Sequence, residues 1–212
     1  MGMALGTGPM MSRTTKLMGG KGLLTHEMLQ RMRIPKKHWG CSLSQIPEKC
    51  SHKEPILKWV QDVHQNVRSA RGLLLLGDYS TGKSGTAAIC LKAAADRGLI
   101  GFWTTARDLP GQVIKDVLFD EDMTIIERAE SVPLLVIDEV QVRDTVAFSE
   151  QVVEMLVRHR IDNQLGTILT TNHSREQLQT KYPALIAALT EAVFPVYVSG
   201  HNFREQIAKE WQ

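Results

Sequence analysis

A glycine-rich stretch, GDYSTGKS, has the residue types and the spacing of a phosphate-binding loop. Backbone N–H groups of such a loop point inward around an anion, and the next helix adds positive potential. Lys83 would reach the β- and γ-phosphates of ATP, and Ser84 would ligate Mg²⁺. A structural turn is the alternative, but the loop lies between an apolar run and an Ala-rich helical pattern, which is the context the motif requires. The predicted nucleotide-binding residues are Gly77, Asp78, Tyr79, Ser80, Thr81, Gly82, Lys83, Ser84 and Gly85.

Two other apolar runs end in polar side chains. LLVIDE places Asp138 where it could hold Mg²⁺, and Glu139 where it could polarise the water that attacks a γ-phosphate. TILTTN ends in Asn172, which could orient that water or sense the γ-phosphate. Taken alone, an Asp-Glu pair can simply end a strand, and Asn is a common turn former. Together with the loop, they predict Glu139, Lys83 and Asn172 as catalytic residues, and Ser84 and Asp138 as metal ligands.

The elements that must position these residues alternate along the chain. Short apolar runs typical of buried strands are RGLLLLG, LIGFWTT, PLLVIDE, GTILTTN and PVYVSG. Between them lie helical patterns, including one helix over HKEPILKWVQDVHQNVRSA, helices over RDLPGQVIKDVL and MTIIERA, and a capping box at Ser174 and Gln177. A short helix capped by Thr25 precedes them. This alternation predicts an α/β fold with a parallel sheet covered by helices on both faces.

Length and composition limit the class of protein. The 212 residues suit one domain plus a tail, and 43% of them are hydrophobic. No apolar run approaches the roughly 20 residues that span a bilayer, and the N-terminus lacks the pattern of a secretory signal. Three cysteines form no disulfide framework, so the expected location is the cytoplasm, without a membrane partner.

Charge is unevenly distributed. Residues 1–60 contain ten Lys/Arg and three Asp/Glu, a net charge of +7, whereas the remaining residues contain fifteen and twenty, a net charge of −5. The predicted organisation is a basic flexible arm with a short helix at 1–33 and an ATPase domain at 34–212. The arm could contact nucleic acid, or it could be a solvated tail.

The motifs together resemble a known family. The order GDYSTGKS, GFWTTARDL, LLVIDEV, a long helix ending in Arg, GTILTTN and VYVSGHNFRE is similar to AAA+ ATPases of the DnaC/DnaI helicase-loader and IstB transposition-helper group. IPKKHWGCSLSQIP also resembles the segment that leads into this family's domain. The resemblance covers residues 34–208 and implies a five-stranded sheet of order 5-1-4-3-2. It also implies assembly of copies into a ring or spiral that grips DNA. No room remains for a C-terminal helical lid.

Several positions depart from the family pattern. Ser80 replaces a usual third glycine of the loop. Members of the family carry an arginine that acts on a neighbouring subunit's γ-phosphate, but the matching stretch here is Ala187, Ala188 and Leu189. Arg158 or Arg160 could substitute, or could simply stabilise the C-terminus of their helix. Arg204 could contact phosphate or DNA.

Three functions remain open at this point. The first is a replicative helicase loader that binds DNA, with single-stranded DNA favoured over duplex. The second is an IstB-like transposition helper that engages a transposase. The third is a nucleotide-gated adaptor that does not hydrolyse ATP. A zinc site at His38, Cys41, Cys50 and His52 is disfavoured because the spacing matches no common ligand pattern.

Overall fold

The fold is built on a five-stranded parallel sheet. The structure, a computed structural model, describes residues 24–109, 113–116, 121–140 and 147–199. The strands are β1 Gly72–Leu76, β2 Gly101–Thr105, β3 Val113–Asp116, β4 Glu121–Thr124, β5 Leu134–Asp138, β6 Gly166–Thr171 and β7 Val193–Tyr197. The main sheet has the order β2-β5-β6-β1-β7, and every pairing in it is parallel. This order is the one that the family resemblance implied.

Helices cover both faces of the sheet. They are α1 His26–Arg31, α2 Lys53–Gln61, α3 Val63–Arg68, α4 Lys83–Asp96, α5 Ile125–Ser131, α6 Ala147–Asp162, α7 Arg175–Lys181 and α8 Pro183–Ala192. Alternate residues of β1 enter two separate cores. Leu73 and Leu75 pack with α1 to α4, whereas Leu74 and Leu76 pack with α5 to α8. β1 and β5 are continuous apolar runs because each is buried on both faces, whereas the edge strand β7 exposes Phe194 and Tyr197.

The region between β2 and α5 differs from its sequence prediction. RDLPGQVIKDVL was predicted as a helix, but β3 and β4 pair there as an antiparallel hairpin. The β-branched residues Val113 and Ile114 favour a strand, and the Pro-Gly pair before them interrupts any helix. The helix predicted over MTIIERA begins two residues later, at Ile125, because Thr124 caps it in a box with Glu127.

The helix predicted over residues 52–70 is divided in two. α2 ends before Asp62 and α3 begins after it. The Asn66 side chain donates a hydrogen bond to the Trp59 carbonyl at 3.0 Å, satisfying a group left without its intrahelical partner at the break. One apolar face continues across the break, since Ile56, Trp59 and Val63 are all buried.

The connecting segment, residues 34–52, is fixed to α4 by one buried cation. Lys92 is 1% exposed and donates hydrogen bonds to the carbonyls of His38 (3.3 Å), Trp39 (2.9 Å) and Cys41. α1 precedes this segment, is capped by Thr25 as predicted, and contributes Leu29 to the same core.

The remaining predictions about the N-terminal arm and about Arg204 lie outside the described residues. In the part of the chain that the structure covers, no helix is long and apolar enough to cross a membrane.

Candidate nucleotide site

The predicted site residues come together because three neighbouring strands end at one edge of the sheet. β6 lies between β5 and β1. Gly77 follows β1, Asp138 ends β5 and Asn172 follows β6. Parallel strands place their carboxyl ends on the same side, and this edge is where such sheets bind ligands.

The backbone of the loop requires its glycines. Gly77 has a φ of +146°, and a Cβ there would lie 2.3 Å from the Val198 carbonyl oxygen. Gly82 has a φ of +95° and immediately precedes α4. Ser80, at the position where the family usually has glycine, also adopts a left-handed conformation with φ +63°. The substitution therefore keeps the loop's conformation at a steric cost of roughly 1–2 kcal/mol.

Lys83 lies inside the loop. Its side chain is 7% exposed, and its ammonium donates hydrogen bonds to the carbonyls of Gly77 (2.8 Å) and Asp78 (2.5 Å). Burial lowers the pKa of Lys83, and the nearby Asp78 and Asp138 oppose this shift. The Lys83 ammonium thus lies inside the loop, at the position where a phosphate-binding loop requires a cation.

The metal ligands predicted from the sequence are in direct contact. The Ser84 hydroxyl donates a hydrogen bond to Asp138 Oδ1 at 2.9 Å, and Asp138 is 4% exposed. A hydroxyl and a buried carboxylate form an all-oxygen donor pair of the kind that Mg²⁺ prefers. The residues present therefore fit a Mg²⁺–nucleotide complex, with Lys83 and the loop on the phosphates and this pair on the metal.

Thr170 is a site residue that the sequence interpretation missed. Its hydroxyl, 1% exposed, donates to Asp138 Oδ1 at 2.6 Å and accepts from the Glu139 backbone N–H at 3.0 Å. The Thr170 hydroxyl thus orients the carboxylate of Asp138, the predicted metal ligand, and fixes the backbone of Glu139, the predicted base. The only signal was a polar residue before the end of a buried strand, in TILTTN, and threonine there is also typical of an ordinary strand.

Glu139 is held in an unusual backbone conformation. Its φ is +58°, which is uncommon for a residue other than glycine, asparagine or aspartate, and its side chain is exposed. Strained residues of this kind concentrate at functional sites. Glu139 directly follows Asp138 at the carboxyl edge of the sheet, and its role as the base remains a prediction.

The other predicted loop residues have different environments. Thr81 is 8% exposed and donates a hydrogen bond to the Asp78 carbonyl at 2.9 Å, which tightens the turn. Tyr79 is 69% exposed at the outer side of the loop. Gly85 lies in the first turn of α4, and a Cβ there would contact Cys41 Sγ at 3.4 Å. Asn172 is half-buried directly after β6.

The two arginines predicted as substitutes for the trans-acting one have opposite environments. Arg160 is 0% exposed and donates to Thr167 Oγ1 (3.0 Å), to Gly166 O (2.6 Å) and to the Ala129 carbonyl. Burial lowers its pKa to about 9, which leaves it cationic at neutral pH. A guanidinium so enclosed cannot reach another subunit, so the structure contradicts the prediction for Arg160.

Arg158 is exposed, although it has partners within its own chain. It pairs with Glu154 at 3.0 Å and donates to the Ala184 carbonyl at 3.3 Å. An exposed pair of this type is weak and readily exchanged, so Arg158 remains a candidate. Ala187 is exposed and Ala188 half-buried on α8, where the family resemblance expects an arginine.

The disfavoured zinc site gains no support from the geometry. Cys41 Sγ lies 3.9 Å from His38 Nδ1, but among the described residues no three His, Cys, Asp or Glu side chains are grouped around a point where a metal could bind. His52 instead packs beside Ser199, after β7.

Comparisons with solved structures match most of the described chain. The DnaC helicase loader superposes with a TM-score of 0.64 at 21% identity, covering 78% of this chain and 100% of that one. DnaI superposes with a TM-score of 0.66 at 16% identity, covering 82% of this chain and 98% of that one. AMPPCP-bound DnaA from Aquifex aeolicus gives 0.60 at 17% identity, covering 84% of this chain and 55% of that one. The chain therefore shares the fold of these structures.

The similarity is structural and does not extend to close sequence relatives. No protein-family model matches the sequence, and no curated protein matches it. What the comparisons show is a shared fold, and the observed strand order is the one that the family resemblance implied. The matched DnaA structure holds the nucleotide analogue AMPPCP.

Proposed function

We propose that this chain is an ATP-dependent, DNA-binding AAA+ protein that loads a replicative helicase in the cytoplasm during DNA replication. The observation that carries the proposal is the joining of Lys83, Ser84 and Asp138 into one site on this sheet. Support for the loader role comes from the length of the match. The superposition with this chain covers almost all of the DnaC and DnaI chains, but only about half of the DnaA chain.

Each side chain has a distinct role in this proposal. Bound Mg²⁺–ATP would supply the phosphoryl group and the metal's charge. Lys83 exchanges the Gly77 and Asp78 carbonyls for phosphate oxygens, and the oxygens of Ser84 and Asp138 hold the metal. Glu139 accepts the proton of the attacking water, and Asn172 orients that water. Thr170 holds the Asp138 carboxylate and the Glu139 backbone in position.

Capture of the helicase tests the loader role. The tagged chain is mixed with the hexameric replicative helicase of the same genome, with single-stranded DNA, and with or without Mg²⁺–ATP. A complex that requires ATP and is lost in Lys83→Ala is the expected result. If no complex forms in either condition, the loader role is wrong. ATP-dependent capture of a transposase on duplex DNA would replace it with the transposition-helper function.

A second candidate, a nucleotide-gated adaptor without hydrolysis, is favoured by one specific observation. The family's arginine position holds Ala187 and Ala188, and one of the two candidate substitutes, Arg160, is buried in its own chain. Without a cation to stabilise the transition state, ATP would order an oligomer but turn over very slowly.

Steady-state hydrolysis of ATP separates the two candidates. The assay compares the wild type with Arg158→Ala, with and without DNA, next to a measurement of ATP binding. Hydrolysis by the wild type that Arg158→Ala abolishes without loss of ATP binding would exclude the adaptor. Absence of turnover in the wild type, with ATP bound and helicase present, would support it.

A further inference from the structure

The outer surface of one helical layer is distinct from the nucleotide site. Residues 24–71, here called the α4 cover, comprise α1, the connecting segment, α2 and α3. They pack over α4, whose residues 86–95 are all buried, and Lys92 fixes the connecting segment to it. The solvent-facing side of the cover lies on one face of the sheet, whereas the phosphate-binding loop lies at its carboxyl edge.

This cover is basic, and the opposite helical layer is not. Residues 24–71 contain nine Lys/Arg and four Asp/Glu, so nine minus four gives a net charge of +5. α5 to α8 contain five Lys/Arg and seven Asp/Glu, a net charge of −2. The uneven distribution of charge along the sequence thus becomes a difference in net charge between two faces of the folded domain.

Pairing within the cover leaves most of its cations available. Glu27 pairs with Arg31 at 2.7 Å and Glu48 with Lys53 at 2.5 Å, which neutralises two of the four acidic residues. Six exposed cations have no ion pair with any residue that the structure describes: Lys36, Lys37, Lys49, Lys58, Arg68 and Arg71.

The neighbours of these cations favour contact with phosphates. The exposed polar residues on α2, on α3 and directly after α3 include Gln61, His64, Gln65 and Ser69, which can donate hydrogen bonds to phosphate oxygens. The two tryptophans of the cover offer little ring surface to a base, since Trp39 is half-buried and stacks on His26, and Trp59 is 7% exposed. The exposed side chains of this face therefore favour contact with phosphates over stacking on bases.

We propose that the α4 cover binds the phosphate backbone of DNA without reading its sequence. The contact is made by exposed cations on the 3-10 turn at residues 36–38 and at the end of α3. This inference depends on the proposed function only in taking DNA as the polyanion. It adds a DNA surface whose contacts do not depend on bound nucleotide.

Salt-dependent DNA binding tests the surface. The variants Lys36→Gln/Lys37→Gln and Arg68→Gln/Arg71→Gln are compared with the wild type on duplex and single-stranded oligonucleotides of mixed sequence. Each pair should weaken binding about tenfold near 0.1 M salt, and should reduce the slope of log K against log salt by about 1.8 on duplex or about 1.4 on single strands. A matched control, Arg107→Gln/Arg175→Gln, removes two exposed arginines from outside the cover and should retain the wild-type slope.

The outcomes separate this inference from the proposed function. ATP affinity and helicase capture are measured on the same variants, and both should remain at wild-type values. The cover is not the DNA surface if the wild type binds DNA and both cover variants show the same salt slope as the wild type. The same conclusion follows if the control variant loses as much DNA affinity as the cover variants do. If the wild type captures helicase but binds neither form of DNA, the inference fails while the loader role stands.

Discussion

At the scale of single residues, Asp138 is the centre of the candidate site. Its carboxylate accepts hydrogen bonds from both Ser84 and Thr170, so the loop and two strands converge on one oxygen atom. Lys83, Ser84 and Asp138 could be predicted from the sequence because phosphate and Mg²⁺ binding require those residue types at that spacing. Thr170 could not, since its role depends on the pairing of β5 with β6, which no local pattern shows.

Replacement of Glu139 should separate binding from chemistry. Glu139→Gln keeps the size and polarity of the side chain but removes the base, and the backbone contact with Thr170 is unaffected. ATP binding should stay within about threefold of wild type, while turnover falls about 10²-fold or more. Parallel calorimetry and phosphate-release assays measure the two quantities. Equal turnover in the variant and the wild type would exclude Glu139 as the base.

Thr170→Val should affect turnover through its two neighbours. The variant preserves shape but loses the bonds to Asp138 and to the Glu139 N–H, leaving a buried carboxylate one donor short. We expect a reduction in kcat of about tenfold or more, a shift in the Mg²⁺ dependence, and a smaller change in KM for ATP. Thr170→Ser restores the hydroxyl and should recover most of the activity. Failure of Thr170→Ser to recover it would indicate a packing role alone.

At the scale of elements, the strands were more predictable than the connections. The three inner strands of the main sheet, β5, β6 and β1, are buried on both faces, so their apolar runs are visible in the sequence without knowledge of their partners. The segment that contains β3 was predicted as a helix because residues 107–118 also have apolar residues at helical spacing. The break at Asp62 was missed because it depends on an Asn66 side chain reaching back to Trp59.

The contact between the connecting segment and the sheet should depend on pH through His38. Burial, aided by Lys37 and Lys92, lowers the pKa of His38 to about 4, and its ring lies beside Cys41 and Trp103. The unfolded chain therefore binds a proton between about pH 6.5 and 4 that the native chain does not. The contribution of the neutral His38 ring to the free energy of unfolding is fully present above pH 6.5 and is lost as the pH falls toward 4.

Urea unfolding at several pH values measures this dependence. The wild type should lose stability between pH 6.5 and 4 more steeply than His38→Gln, because the variant has no group to protonate there. Parallel curves for the two proteins over this range would contradict a buried neutral His38.

Arg160 should stabilise the junction of α5, α6 and β6. Arg160→Met removes the donors for Gly166 O, Thr167 Oγ1 and the Ala129 carbonyl, and each buried acceptor left unpaired costs about 1–3 kcal/mol. We expect the free energy of unfolding to fall by about 3 kcal/mol or more. The exposed Arg158→Met should change it by about 0.5 kcal/mol or less. Similar values for the two variants would mean that Arg160 is not a structural residue.

At the scale of the whole molecule, the fold separates three surfaces. The carboxyl edge of the sheet holds the nucleotide residues, one helical face is basic, and the other is mildly acidic. The strand order followed from the family resemblance of the motifs and is confirmed, although identity to the matched structures is only 16% to 21%. The segregation of charge between faces needed the structure, because sequence position alone does not show that residues 24–71 form one layer over α4.

Equilibrium binding of Mg²⁺–ATP, measured by calorimetry, tests the central claim that this edge is a nucleotide site. The wild type should bind ATP, and Lys83→Ala should bind at least about 10²-fold more weakly because the buried cation that meets the phosphates is gone. Asp138→Asn should weaken binding in the presence of Mg²⁺ more than in EDTA. Absence of binding by the wild type at millimolar ATP, or equal affinity in the wild type and Lys83→Ala, would contradict the account.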